Sequence, residues 1–266
     1  MNEEIAAALR WHLEPFRRPR EDPGALDATF YVPEGDQDSS SPMLSYFRGA
    51  EMMFAHEDPQ RLFRYAVWDI QYAASQFVRS FLALHAGVVV TGDGALLLPG
   101  PQEAGKSTLV AALLALGFDY LSDEVGALDP VTGRAYPHPK WLHLAPDAVS
   151  LFPGLEGRLE DRNGRARSTI DRTVRPQDLQ ASVGRPAPVR WLVLLTRDRD
   201  GPPRLVPMPS SEAVEKMAES AFNLHRYAAR GVVLLSRIAA DAETFRLQGG
   251  SALERADLLA ARFSKS

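Results

Sequence analysis

The pattern of apolar and polar positions divides the chain into short, fully apolar runs and longer runs with helical periodicity. Residues 88–91, the turn Gly92-Asp93-Gly94 and residues 95–98 predict a β-hairpin, because Asp-Gly is a favoured turn pair. The apolar run 107–116 predicts a helix that ends before Gly117, since glycine is the residue type most common just after a helix. Strands and helices that alternate in this way predict an α/β fold.

A long helix is predicted ahead of the hairpin. Asp58 is a good N-cap, and Pro59 suits the first helical position. The apolar positions continue to about Leu84, so we expect the helix to reach that residue and a strand to begin at His85. The aromatic-rich stripe of this helix is expected to pack against a core.

The residues before the long helix predict a small α+β domain. They contain an amphipathic helix from Glu4 to Phe16, a strand from Ala28 to Val32 and a second strand end at 46–49. We therefore place a small accessory domain at residues 1–57 and the main domain at residues 58–266.

The second half of the chain predicts further strands and helices. A strand at 118–122 is followed by Asp123-Glu124 and continues through 125–128, and residues 189–195 predict a central strand of a mixed sheet. The polar, arginine-rich segment 160–172 is expected to be an exposed loop. The remaining predicted elements are extended structure at 138–144, a short strand at 204–207, and helices at 210–224, 227–240 and 251–263.

Composition and charge exclude several classes of function. With 45% hydrophobic and 24% charged residues, the 266-residue chain resembles a soluble globular protein with a sizeable core. The net charge of −4 gives no general attraction to nucleic acid or anionic membranes, and no window approaches the roughly 18 apolar residues of a membrane helix. The absence of cysteine excludes thiolate catalysis and disulfides. The N-terminus also lacks the apolar region of a secretory signal, so we expect a cytoplasmic protein with no nucleic-acid or membrane partner.

The strongest chemical signal is a glycine-rich loop of the form G-x-x-x-x-G-K-S-T between a predicted strand and a predicted helix. Its glycines let the backbone approach phosphate oxygens, and the N–H groups at the start of the helix point at the anion. In such loops the lysine, here Lys106, reaches the β- and γ-phosphates, and the serine hydroxyl, here Ser107, binds magnesium. The predicted nucleotide-binding residues are Gly100, Pro101, Gln102, Glu103, Ala104, Gly105, Lys106, Ser107 and Thr108.

An acidic pair, Asp123-Glu124, ends the strand that follows the helix of the loop. In a sheet with parallel loop-bearing strands, that end opens onto the phosphate loop. One carboxylate can then accept a proton from an attacking hydroxyl, and the other can bind the metal directly or through water. The alternative interpretation is a solvated pair at a strand end, and His85, taken alone, is as well explained by packing.

The histidine, the hairpin, the loop and the acidic pair together resemble the catalytic core of the HPr kinase/phosphorylase family. Lys106 follows His85 by 21 positions and Asp123 follows Lys106 by 17, which matches the order and spacing of that family. The resemblance covers roughly residues 84–145. It implies a P-loop kinase core with phosphoenolpyruvate-carboxykinase-like topology, in which the hairpin leads directly into the loop.

The resemblance also implies roles for individual residues. Asp123 matches the general base that takes the proton from a substrate serine, and Lys106 matches the phosphate-loop lysine. Ser107 matches a magnesium ligand, His85 matches a histidine near the transferred phosphate, and Glu124 falls where the family has a second aspartate. The predicted catalytic residues are thus Asp123, His85, Lys106 and Glu124, and the predicted metal ligands are Ser107, Asp123 and Glu124, with ATP and Mg²⁺ as cofactors.

Two segments resemble more closely the small HPr-kinase-like proteins of modified-peptide gene clusters, including lasso-peptide kinases. Residues 103–108 read E-A-G-K-S-T and residues 121–124 read L-S-D-E, as in those kinases. The loop departs from the G-K-S-E ending of HPr kinases, and their later arginine- and glycine-rich signature is not recognisable. The resemblance implies a serine kinase that acts on a peptide or small protein, most specifically a precursor peptide of the lasso type.

Other functions would use the same core. A kinase of a small hydroxyl-bearing metabolite would differ only in the pocket beyond the γ-phosphate, and a nucleotide-binding switch would need no acceptor. HPr kinases form hexamers, so a homo-oligomer is a possible assembly. Weaker candidates for contacting the γ-phosphate or the acceptor are the basic residues Lys140, Arg158, Arg162, Arg165, Arg167 and Arg197.

Overall fold

A computed structural model of the chain describes residues 14, 30–31, 43–77, 80–92, 94–159 and 173–264. The predicted loop at 160–172 lies outside these residues, and so does the predicted helix at 4–16 apart from Glu14. Contacts between Cα atoms divide the chain into two compact units, with the division between residues 74 and 75.

The first unit contains a three-stranded antiparallel sheet and one long helix. Strands β1 (Phe30–Tyr31), β2 (Leu44–Arg48) and β3 (Glu51–His56) pair in sequence order, and helix α1 (Pro59–Phe77) follows them. Side chains of β2 and α1 share one apolar cluster because both elements are amphipathic. Its buried members are Leu44, Tyr46, Leu62, Phe63, Ala66 and Val67.

Helix α1 begins where the sequence predicts, but it ends at Phe77 rather than at Leu84, so that prediction is wrong. Leu84 and the two residues before it form the start of strand β4 (Leu82–Thr91). All three are buried, and a fully buried strand shows no alternation, so its apolar run cannot be distinguished from the end of a helix. The sequence interpretation assigned α1 to the main domain, whereas its residues up to 74 lie in the first compact unit.

The second unit is built on a mixed eight-stranded sheet flanked by helices, as the α/β interpretation predicts. The strands that follow β4 are β5 (Gly94–Pro99), β6 (Asp119–Ser122), β7 (Val125–Leu128), β8 (Arg134–Tyr136), β9 (Leu142–His143), β10 (Thr173–Val174), β11 (Ala187–Leu195), β12 (Arg204–Pro207) and β13 (Glu243–Gln248). The sheet order is β12-β13-β11-β5-β4-β7-β8, and β6 pairs with β4. Strands β9 and β10 form a separate antiparallel pair.

Strands of both directions meet at the centre of this sheet. The predicted hairpin is confirmed as β4 and β5, which are antiparallel, while β5, β11 and β13 are parallel. The flanking helices are α2 (Lys106–Ala115), α3 (Pro146–Val149), α4 (Leu155–Arg158), α5 (Ser210–Glu219), α6 (Ala229–Asp241) and α7 (Ala252–Phe263).

Apolar cores cover both faces of the sheet, which explains why its central strands are mostly apolar on both faces. Along β5, Leu96 and Leu98 join a cluster that includes side chains of α2 and α7. Ala95 and Leu97, which alternate with them, join a second cluster with side chains of α5 and α6. Strand β5 is thus fixed from both sides, and the segment that follows it starts from a rigid position.

Strands β6 and β7 lie one after the other along β4, and the acidic pair falls at the break between them. Ser122 is opposite Val88, and Val125 is opposite His85. At the break, the backbone N–H of Ala86 donates to the carbonyl oxygen of Glu124 at 3.1 Å. Since β6 runs antiparallel to β4, it is parallel to β5, and the two strands end at the same edge of the sheet.

The other side of β4 is held by a segment that the sequence did not associate with it. The backbone N–H of Ala83 donates to Oδ1 of the buried Asn223 at 2.9 Å, and the amide of Asn223 donates to the carbonyl of Phe81 at 3.0 Å. The N–H of His85 donates to the carbonyl of Ser220 at 2.7 Å. These bonds satisfy buried backbone groups that β7 does not reach.

The sheet also closes on itself at one end. Strand β8 pairs with β7 and, antiparallel, with β11, where Ala187 is opposite Ala135. At the other end, β12 pairs with β13 and includes Pro207 in its register. Pro202 and Pro203 come directly before this strand.

The C-terminal region contains a strand that the sequence did not predict. Strand β13 follows α6 directly and becomes the parallel neighbour of β11. The helix predicted at 210–224 ends at Glu219, because the chain then turns to meet β4. Helix α7 matches its prediction, and Ser251 caps it with a capping box that includes Glu254. None of the described helices combines the length and the apolar character that crossing a membrane requires.

Candidate active site

The glycine-rich loop connects the end of β5 to the start of α2. Gly105 has φ of 80°, and Glu103 has φ of 63°, so the loop turns through two left-handed residues before the helix starts. Lys106 folds back over the loop, and its Nζ donates to the carbonyl oxygens of Gly100 and Pro101, each at 2.9 Å. The ammonium of Lys106 therefore lies beside the first two residues of the loop.

Close packing against the end of β11 and against the segment after it leaves no room for a side chain at either glycine of the motif. A Cβ at Gly100 would lie 2.9 Å from Cβ of Leu195, at the end of β11. A Cβ at Gly105 would lie 2.4 Å from Nη2 of Arg199, whose guanidinium donates to the carbonyl of Ala104 at 2.8 Å. The loop is thus closely packed against the segment that follows β11.

Helix α2 begins without a side-chain cap. The first N–H groups of a helix have no partner within the helix, and the partial positive charge of the N-terminus adds to their attraction for anions. Because the helix starts at Lys106, these donors and the ammonium face the same loop. This arrangement has the donor set that a polyphosphate requires.

Asp123 is linked directly to the loop. The hydroxyl of Ser107 donates to Oδ2 of Asp123 at 2.8 Å, and the hydroxyl of Tyr120 lies 3.0 Å from Oδ1. Asp123 is only 1% exposed, and Tyr120 is fully buried. This contact places Asp123 beside the phosphate loop, as the sequence predicts. The alternative interpretation, a solvated pair at a strand end, is wrong for Asp123, because its side chain is buried.

Lys140 joins the two carboxylates. Its Nζ lies 2.7 Å from Oε2 of Glu124 and 3.6 Å from Oδ1 of Asp123, and the residue is 5% exposed. Burial alone would lower the pKa of Lys140, but Asp123 and Glu124 outweigh it, so the pKa is raised. Burial likewise raises the pKa of Glu124, but the Lys140 charge and hydrogen bond leave it below its usual value. Lys140 and Glu124 are therefore a charged pair at neutral pH.

His85 lies at the same break in the β4 ladder. Its ring stacks on that of Phe222 with the centroids 5.6 Å apart. Burial and the nearby charge of Lys106 lower the pKa of His85, so its imidazole is neutral at pH 7. Burial also lowers the pKa of Lys106, to about 8, against the opposing effects of Glu124 and Asp123. The pKa values of His85 and Lys106 thus depend on the same two carboxylates, those of Asp123 and Glu124.

The structure brings together most of the residues that the sequence predicted. Lys106, Ser107, Asp123, Glu124 and His85 form one cluster, and the weaker candidate Lys140 is part of it. Arg197 reaches the loop from outside and donates to the carbonyl of Gln102 at 3.0 Å. Of the other weak candidates, Arg158 is the last residue of α4, and residues 162, 165 and 167 lie outside the described residues.

Sequence reasoning missed Tyr120 and Arg199. Tyr120 precedes the acidic pair by three positions on a buried strand, where a tyrosine is usually explained by packing. Arg199 belongs to the polar segment after β11, in which nothing distinguishes it from its neighbours. The segment after β11 is held by Arg255, which is 1% exposed. The guanidinium of Arg255 donates to the carbonyl of Thr196 at 3.2 Å and to the carbonyl of Gly249 at 2.6 Å.

The donor set fits a nucleotide-bound magnesium ion better than an all-protein metal site. Within the described residues, no cluster of three or more histidine, aspartate or glutamate side chains could hold a metal ion. Ser107 and Asp123, in hydrogen-bond contact, offer the hydroxyl and carboxylate oxygens that Mg²⁺ prefers. Proteins usually bind Mg²⁺ with one or two oxygen-bearing side chains, and phosphates and water complete its coordination. Ser107 and Asp123 therefore fit a magnesium ion that is bound together with a nucleotide.

Comparison with known proteins adds no identification. No protein-family model matches the chain, and no curated protein matches it either.

Proposed function

We propose that this protein is an ATP- and Mg²⁺-dependent kinase that transfers the γ-phosphate to a hydroxyl group. The observation that carries the proposal is the contact between Ser107, in the phosphate loop, and Asp123, in the acidic pair. A protein that only bound nucleotide would need the loop, but it would not need two carboxylates and a buried lysine beside it. A kinase needs, besides the loop, a group that helps to hold the metal and a group that receives the acceptor hydroxyl, and the acidic pair can supply both.

Each group has a task in that reaction. The α2 N-terminus and Lys106 bind and orient the phosphates, and they offset the charge that develops as the γ-phosphoryl group moves. Ser107 and a carboxylate of the acidic pair would hold Mg²⁺, which would supply further neutralisation of that charge. A carboxylate of the pair accepts the proton of the attacking hydroxyl. The neutral His85 can donate or accept a hydrogen bond beside the transferred group without adding charge.

We further propose that the core has the HPr kinase and phosphoenolpyruvate-carboxykinase-like topology. Its support is the antiparallel hairpin β4–β5 that leads directly into the loop, together with an acidic pair directly after β6, a strand parallel to β5. The order of His85, Lys106 and Asp123 along the chain supports the same topology.

For the acceptor we propose a serine hydroxyl of a peptide or small protein. The resemblance of the E-A-G-K-S-T and L-S-D-E segments to small peptide-modifying kinases supports this choice, and it favours a precursor peptide of the lasso type.

The test is phosphate transfer from [γ-³²P]ATP, in the presence of MgCl₂, to serine-containing precursor peptides, free serine and simple sugars. We expect a phosphopeptide that disappears when the acceptor serine is replaced by alanine. Lys106→Met should abolish transfer, whereas Lys216→Met, on the exposed side of α5, should leave it intact. Phosphorylated free serine or sugar, with no phosphopeptide, would indicate a metabolite kinase. Tight ATP binding with no phosphorylated acceptor would contradict the proposed function and indicate a switch.

A further inference from the structure

The two carboxylates of the acidic pair differ in what they can reach. Asp123 is 1% exposed, and its two oxygens face Ser107 and Tyr120 at hydrogen-bond distance. The side chain of Glu124 is 34% exposed. A group that accepts a proton from a bound hydroxyl must come within hydrogen-bond distance of it. The incoming acceptor can meet Glu124 far more readily than Asp123.

Lys140 fixes Glu124 by one oxygen only. The ion pair uses Oε2, at 2.7 Å from Nζ, and among the described residues no hydrogen bond to Oε1 is formed. A carboxylate held in this way keeps one oxygen for an incoming hydroxyl while its orientation is set by the other. Since Lys140 is itself buried, its position is set by the protein rather than by solvent.

The two carboxylates also differ in their neighbours. Asp123 contacts Ser107, the residue that offers its hydroxyl to the metal, whereas Glu124 is paired with Lys140.

We propose that Glu124, positioned by Lys140, is the carboxylate that meets the acceptor hydroxyl, whereas Asp123 serves the metal side of the phosphate loop. This inference rests on the proposed kinase function, and it reverses the roles that the resemblance to HPr kinases implies. As the bond from the acceptor oxygen to the γ-phosphorus forms, the bond from that phosphorus to the β–γ bridging oxygen breaks. ADP leaves with that electron pair, and the hydroxyl proton passes to Glu124 and then to water.

Two measurements separate the roles: the affinity for ATP in MgCl₂ compared with EDTA, and the rate of transfer to an acceptor peptide. Glu124→Gln should lower kcat about 100-fold or more. It should leave the magnesium-dependent gain in ATP affinity unchanged. Asp123→Asn should instead reduce that gain about 10-fold to 100-fold. Glu215→Gln, an exposed carboxylate on α5, is the matched control and should change neither quantity.

Additional variants keep the test valid if Asp123→Asn folds poorly. Ser107→Ala leaves the acidic pair intact and should reproduce the loss of magnesium-dependent affinity. As a positioning residue, Lys140 should show a lower kcat with unchanged ATP affinity when replaced by methionine, and Lys140→Arg should restore part of the rate.

Two results would overturn the inference while leaving the proposed function in place. They are wild-type transfer by Glu124→Gln, and full magnesium-dependent affinity in both Asp123→Asn and Ser107→Ala. A wild-type protein that binds ATP with magnesium but phosphorylates no acceptor would overturn the kinase function and this inference with it.

Discussion

Gly105 is the residue at which one added carbon should disturb the phosphate loop most. Alanine there would adopt φ of 80°, and its Cβ would displace the guanidinium of Arg199 from the carbonyl of Ala104. Left-handed backbone at a non-glycine residue costs about 1–3 kcal/mol. We expect Gly105→Ala to weaken ATP binding by about tenfold or more, measured by calorimetry in MgCl₂.

Gly117 offers a matched control for that variant. It also has positive φ, of 93°, but a Cβ there would meet nothing within 4 Å. Gly117→Ala should lower the free energy of unfolding by about 1 kcal/mol and leave ATP affinity unchanged. Equal ATP affinities for the two alanine variants would show that the loop does not depend on the conformation of Gly105.

At the residue scale, the sequence identified those site residues whose positions follow from local connections. Lys106 and Ser107 are fixed by the motif, and Asp123 follows because β6 is parallel to β5. Lys140 was only a weak candidate, because its approach to the acidic pair depends on how an irregular segment crosses the end of β6. No periodicity encodes such a path, and a buried lysine in sequence is indistinguishable from a solvated one.

Among the elements, α2 is unusual because it is apolar nearly all round. Leu109, Val110 and Leu113 are all buried, whereas Leu116, just after the helix, is 45% exposed. Leu113→Ala should lower the free energy of unfolding by about 2–5 kcal/mol, since it leaves a cavity in the apolar cluster that α2 shares with the sheet. Leu116→Ala should cost less than about 0.5 kcal/mol. Urea denaturation of the two variants would test this, and similar costs would contradict the burial of α2 in the core.

The elements that were predicted correctly are those bounded by strong local signals. The hairpin has its Asp-Gly turn, and α7 has its capping box. Strand β13 was missed because it follows α6 without glycine or proline, and its polar residues give no buried run. Its strand conformation comes from pairing with β11 and β12, which are contacts distant in sequence.

On the scale of the whole molecule, stability should fall in mild acid. Burial and then the nearby charge of Lys140 lower the pKa of His138 to about 4, whereas in the unfolded chain it returns to about 6.5. Between these values the unfolded chain binds more protons, so stability that is present above pH 6.5 is lost as the pH falls toward 4. The loss should approach about 3 kcal/mol.

Replacing the histidine isolates this contribution from that of the carboxylates. Between pH 7.5 and 4.5, the free energy of unfolding measured in urea should fall further for wild type than for His138→Gln. Parallel curves would mean that His138 takes up its proton equally well in the folded and unfolded chains.

The closure of β8 onto β11 has a consequence for how copies of this protein can associate. An unpaired strand edge invites another chain to add a strand, and this is a common route to aggregation. The closure removes that opportunity at one end of the sheet, and the prolines in and before β12 remove backbone donors at the other. Extension of this sheet is therefore disfavoured, and an oligomer built on this unit is expected to form through side-chain packing between surfaces.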